Sequence, residues 1–186
     1  MASTFPTSLD TFTNPTATSL LTSPSHAQQH SDINDAVEAL ETKVAIGNTV
    51  LGSYTSYTPN LTNWTIGNGT IVSAYARVNN FVHYYGIFTM GSTSVASANP
   101  LLQLPITAGS PFNADGMPYG LAMYKDVSAS VTYMGHTIFD TSTGVKMMCQ
   151  EAGSTYVSGT TVSGAVRPMV WAVGDWLSWN LTYKAA

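Results

Sequence analysis

The chain has 186 residues, 44% of them apolar, yet only 9% are Asp, Glu, Lys or Arg, where an ordinary soluble protein carries about 25%. That length allows one full domain with an appendage. A net charge of −4 with six scattered basic residues excludes a phosphate-binding face, so nucleic acid is not an expected partner. Water-facing positions must be filled by Ser, Thr, Asn, Gln and Gly, which suits an all-β protein or an obligate oligomer. No apolar run approaches the roughly 20 residues needed to cross a bilayer, so membrane insertion is not expected. The first residues also lack the basic start and apolar middle of a signal peptide. The single Cys149 excludes an intrachain disulfide framework and a Cys-rich zinc site, and is expected to be a small buried hydrophobe.

Residues 1–22 are rich in Thr, Ser and Pro, and Pro6 and Pro15 argue against a helix. Phe5, Leu9 and Phe12 recur in a segment too polar to form its own core. It is expected to be an extended arm that docks these side chains onto another protein.

A helix is predicted over 23–47, opened by Ser23-Pro24 as N-cap and first helical residue and closed by Gly47. His26, His30, Ile33, Val37, Leu40 and Val44 follow the alternating spacing of a heptad seam. One such stripe cannot bury itself, so a partner chain is implied. The expected assembly is a homotrimer with these six residues at its seam.

Residues 48–186 read as a head of short alternating runs separated by turns. The runs are 61–66, 71–78, 81–90, 101–106, 119–124, 130–139, 145–150, 169–173 and 176–183. Asn68-Gly69 is the strongest hairpin signal and predicts that the first two of them pair. Phe81, His83, Tyr85 and Ile87 lie opposite Val82, Tyr84, Phe88 and Met90, so this strand is expected to be central in the sheet or sandwiched between layers. Gly174-Asp175 reads as a turn into a final strand in which Leu177, Trp179, Leu181 and Tyr183 alternate with Ser178, Asn180 and Thr182. The expected fold is mainly β: the arm, a short trimeric coiled-coil helix, and an antiparallel β-sandwich of jelly-roll type.

Chemistry-bearing patterns are few. His26 and His30 share a helix face at a spacing that can bind a metal. With no third ligand nearby, packed neutral imidazoles that help set register are favoured, and no metal or other cofactor is expected. His83 and His136 are read as core or interface residues. Asp115, Asp126, Asp140 and Glu151 read as solvated loop positions and Asp175 as a turn residue, which leaves no evident catalytic pair. No nucleophile elbow, phosphate loop or dinucleotide fingerprint is present, so the chain is not expected to be an enzyme. Trp64, Trp171, Trp176 and Trp179, with ten Tyr, are read mostly as core or trimer-interface residues, with a sugar-stacking platform at the exposed end of the head as the alternative.

The stretch FPTSLDTFTNPTATSLLTSPSHAQQHSDINDAVEALETKVAIG resembles the N-terminal segment of phage tail-fibre and minor tail proteins. Those proteins share a Phe-Pro arm and a His-x-x-x-His helix running into Asn-Asp-Ala-(Val/Ile)-Glu-Ala-Leu. YTPNLTNWTIGNGTIVSAYARVNNFVHYYGIFTMGSTS and WAVGDWLSWNLTYKAA resemble the opening hairpins and closing strand of phage fibre tips. The resemblance implies a homotrimeric virion component, made in the bacterial cytoplasm and released by lysis. Its arm would join a tail or capsid protein, and its head would bind a host surface glycan or protein. A tail fibre or tip is the leading expectation. A capsid-attached head fibre or decoration protein is the second, and a glycan depolymerase a remote third.

Overall fold

The computed structural model describes residues 26–44, 52–111, 113–152, 157–162 and 166–186, with the side chains of 41–44, 152 and 157 outside the description. The chain divides into two compact units, 1–53 and 54–186. The expected arm, with Phe5, Leu9 and Phe12, lies outside the described residues, as do Ser23-Pro24 and Gly47.

In the first unit, α1 spans His26–Val44, about 28 Å of helix. Ile33, Val37 and Leu40 keep 52%, 49% and 52% of their surface exposed. The apolar stripe predicted from their spacing therefore stands open along the helix. The backbone of Val44 continues it.

The second unit is mainly β. Its strands are β1 (Thr55–Ser56), β2 (Leu61–Thr65), β3 (Thr70–Val78), β4 (Phe81–Thr89), β5 (Val95–Gln103), β6 (Pro118–Asp126), β7 (Val131–Thr141), β8 (Gly144–Ala152), β9 (Val157–Thr161) and β10 (Trp176–Lys184). All pairings are antiparallel, and they form one continuous sheet in the order β1-β3-β4-β10-β6-β7-β8-β5-β2, with β9 also on β8.

Asn68-Gly69 does not make the expected hairpin. β2 pairs with β5 and β3 with β4, so the turn joins strands near opposite ends of the sheet. Laid flat, β3 and β2 would be separated by seven strand spacings, about 34 Å. The link from Thr65 to Thr70 spans at most about 18 Å. The sheet must therefore curl until its ends meet. Trp64 of β2 accordingly packs against Phe88 of β4, with ring centroids 6.0 Å apart. Gly67, at φ +58°, carries the turn, whose Gly69 N–H donates to the Ile66 carbonyl at 2.9 Å. The Asn68 carboxamide holds the neighbouring 92–93 loop, accepting from Thr93 N–H at 2.9 Å and donating to Ser92 Oγ at 3.0 Å.

Inside the curl lie Leu61, Val82, Tyr84, Phe88, Leu102, Tyr124, Val145, Met147, Leu177 and Leu181. The alternation predicted for the last strand holds: Leu177, Trp179, Leu181 and Tyr183 point inward. Gly86 on β4 makes room for Trp179, since a Cβ there would sit 2.4 Å from its ring. Cys149 is buried as expected, and burial pushes its thiol pKa up. Two strand assignments change. Residues 169–173 form a loop that sends Met169 and Trp171 into the core while Val170 and Val173 stay exposed. β9, over the polar Val157–Thr161, had no apolar pattern to announce it.

Burial raises the phenol pKa values of Tyr84, Tyr124 and Tyr183 far above the ordinary 10.0. The unfolded chain would lose these protons near pH 10 while the folded head keeps them. Stability is therefore level below about pH 10 and falls as pH rises beyond it. Phenolate absorbance followed against pH should show these three ionising together with unfolding. Free titration of all ten tyrosines in the folded protein would contradict the burial.

Candidate recognition face

The alternation that fills the core on one side of β4 leaves the other side open. Phe81 and Tyr85 are 61% and 41% exposed, so β4 is central, between β3 and β10, but is covered on one face only and not sandwiched. Register extends this outer face across the sheet. On β3, Val72 stands beside Ile87, Ala74 beside Tyr85 and Val78 beside Phe81. On β10, Ser178, Asn180 and Thr182 stand beside Ile87, Tyr85 and His83. β6 then contributes Leu121 and Met123, and β7 contributes His136 and Met134. Apolar flanks thus border a central polar strip along β10, and none of these side chains is a carboxylate. Val72, Leu121, Met123 and Met134 are exposed. Exposed apolar side chains thus stand on both sides of the polar strip.

The middle of the face is ordered by a chain of hydrogen bonds. Tyr54, just ahead of β1, lies over β4 with its hydroxyl 2.7 Å from His83 Nδ1. His83 Nε2 lies 2.8 Å from Asn180 Oδ1. An amide oxygen can only accept, so Nε2 carries the proton, and in the neutral ring Nδ1 accepts from the Tyr54 hydroxyl. The Asn180 amino group is left with both protons to offer. The rings of Tyr54 and Tyr85 meet edge to face, with centroids 5.0 Å apart and planes at 83°. One of the two therefore keeps both its faces clear of the other.

The other sequence candidates fall elsewhere. His136 is half-buried on the same face, beside Leu121. His26 and His30 are exposed on α1, their Nε2 atoms 3.1 Å apart, which confirms a shared helix face. Among the described residues no group of three or more metal-ligating side chains gathers. Trp64 and Trp179 are buried and Trp171 and Trp176 half-buried, so the exposed aromatic platform is built from Tyr54, Phe81 and Tyr85.

Asp140 and Asp115 converge on one cation, with Lys146 Nζ at 2.6 Å and 3.5 Å from them. Asp140 also lines a cleft of about 240 Å³, with Asn60, Thr62, Leu101, Leu102 and Gln103. The hydrogen bond and charge of Asp140, with Asp115 adding to them, raise the Lys146 pKa, so the cluster behaves as an ion pair. Asp175 is buried and structural. Its carboxylate accepts the Val127 N–H at 2.9 Å and the Ala172 N–H at 2.7 Å.

No protein-family model, curated protein or solved structure matches the chain.

Proposed function

We propose that the chain is a non-enzymatic structural component of a bacteriophage particle, a tail fibre or tip whose β head contacts the host surface. On this reading α1 is one strand of a trimeric coiled coil, with His26, His30, Ile33, Val37, Leu40 and Val44 along its seam. The head is then a jelly-roll-like module, and the arm joins the particle through Phe5, Leu9 and Phe12. The observation that carries the reading is the open stripe of Ile33, Val37 and Leu40 at heptad spacing. Such a stripe costs free energy in water and is relieved by copies of itself. The sequence resemblance supplies the virion, and the exposed outer face of the head supplies a surface for the host.

Labelled antibody against the head, imaged on intact particles, tests the placement. Label at the tail supports the fibre. Label over the capsid supports instead a head fibre or decoration protein anchored by the same arm. Absence of label from every particle would sink both. Deleting residues 1–22 is expected to leave a folded, assembled protein that no longer joins the particle. The measurement is copy number per virion, and normal incorporation of the truncated chain would place the anchor elsewhere.

A further inference from the structure

We infer that the Tyr54–His83–Asn180 network and the adjoining ring of Tyr85 form a binding site for a neutral saccharide. The inference rests on the host-contact reading of the head and names its ligand class. Sugar rings present a C–H face that packs on an aromatic ring and hydroxyl groups that both donate and accept. The site offers both kinds of partner within one small area. Tyr54 and Tyr85 are exposed and perpendicular, with centroids 5.0 Å apart, so a ring face stands open. Beside them the Asn180 amino group has two protons to give, the Tyr54 oxygen can accept, and Thr182 adds a hydroxyl next to His83.

The ordering of these groups is the second argument. His83 is fixed at both nitrogens, by Tyr54 at 2.7 Å and by Asn180 at 2.8 Å. Donors and acceptors are thereby aimed before any ligand arrives, which lowers the cost of binding. Neutrality of the ligand follows from the surroundings. The nearest cation along β10 is Lys184, whose Nζ is taken by the Ser110 carbonyl. The other cation of this face is Lys125 on β6, two residues beyond Met123. Lys184 and Lys125 thus stand four residues to either side of the paired Asn180 and Leu121, about 13 Å along the strands. Neither a carboxylate nor a phosphate seated there meets a cationic fork.

A wholly apolar partner fits this place less well: laid across β10 it would bury Ser178, Asn180 and Thr182 without partners, at about 1–3 kcal/mol for each orphaned group. Sugar hydroxyls satisfy them.

The test is saturation-transfer NMR on the full chain, with N-acetylglucosamine, galactose and rhamnose oligosaccharides as neutral probes and a sialylated one as the acidic probe. Tyr85→Ala, Asn180→Ala and the distant control Val170→Ser are compared, each with its mass by light scattering and its melting temperature. Transfer to ring protons of at least one neutral probe is expected. Tyr85→Ala should lose it, Asn180→Ala should weaken binding at least tenfold, and Val170→Ser should leave it alone, with mass and melting unchanged throughout. No transfer to any neutral probe, transfer to the acidic probe alone, or transfer indifferent to Tyr85→Ala would overturn the site. Dissociation of the assembly by Tyr85→Ala would also overturn it and assign the face to copies of the chain. Particle labelling separates this inference from the reading beneath it. Protein found on virions with no sugar bound removes the saccharide site alone, and protein absent from virions removes the fibre.

Discussion

Asp175→Ala is expected to destabilise the head by about 4 kcal/mol, from the loss of two hydrogen bonds to a buried carboxylate at roughly 1.5–3 kcal/mol each. Asp175 is 1% exposed, and its side chain and backbone together join three stretches of chain. One oxygen takes the Val127 N–H from the loop after β6, and the other takes the Ala172 N–H from the loop before β10. Its own carbonyl accepts the Met90 N–H at 2.8 Å, where β4 ends. The methyl group of alanine replaces neither oxygen. Asp175→Asn should recover about half the loss, because one of its two polar atoms still accepts. For a domain of this size 4 kcal/mol lowers the melting temperature by roughly 8–16 °C. Thermal melting of parent, Asp175→Ala and Asp175→Asn reads the order directly. Equal melting of all three would mean that the two loops are held by something else.

The same residue shows where sequence reading succeeds. Gly174-Asp175 is a local signal for a local turn, and Gly174 takes φ +89° in it. The alternation from Leu177 to Tyr183 is equally local, and it places β10 at the middle of the sheet with its apolar residues inward. Asn68-Gly69 is the contrasting case. The dipeptide correctly marks a turn, yet nothing in its neighbourhood encodes which strands pair. β2 finds β5 some 35 residues on, at Leu61 with Leu102 and Thr65 with Val95. β5 itself begins at Val95 through a polar Ser-Ala-Asn-Pro stretch that has no period-two pattern. The outer face was half legible. Its β4 residues were read as one side of the strand, but their exposure depends on what else covers the sheet. The network at its centre joins Tyr54 to His83 across 29 positions and His83 to Asn180 across 97. Contacts that distant leave no trace in local composition. The tryptophans go largely to the core, the commoner of the two places read for them. Their size favours the interior, which leaves the smaller amphipathic tyrosines to form the exposed platform.

Val37→Asp is expected to convert the assembled protein to single folded chains at micromolar concentration. Val37 sits between Ile33 and Leu40 at heptad spacing, and all three are about half exposed on one chain. The substitution therefore removes no contact within the head core, where the buried apolar residues all belong to 54–186. In a three-fold seam, by contrast, it brings three carboxylates together in an apolar layer. Each must be desolvated beside two like charges, at a cost of several kcal/mol or of taking up protons. A seam of about three heptads has little reserve against such a loss, since short helices are marginal without their partners. Light scattering should then give the mass of one chain for Val37→Asp and three for the parent. Val37→Ile, which keeps a β-branched apolar side chain in the layer, should stay assembled. Melting of the head should change only by what assembly contributes. Acidification should partly restore the Val37→Asp assembly, because protonated carboxyl groups repel less and the folded seam binds protons that the separated chains do not. A parent protein that scatters as a single chain would remove the trimer outright. A Val37→Asp protein that scatters as three chains at neutral pH would show that the copies meet elsewhere than along this stripe.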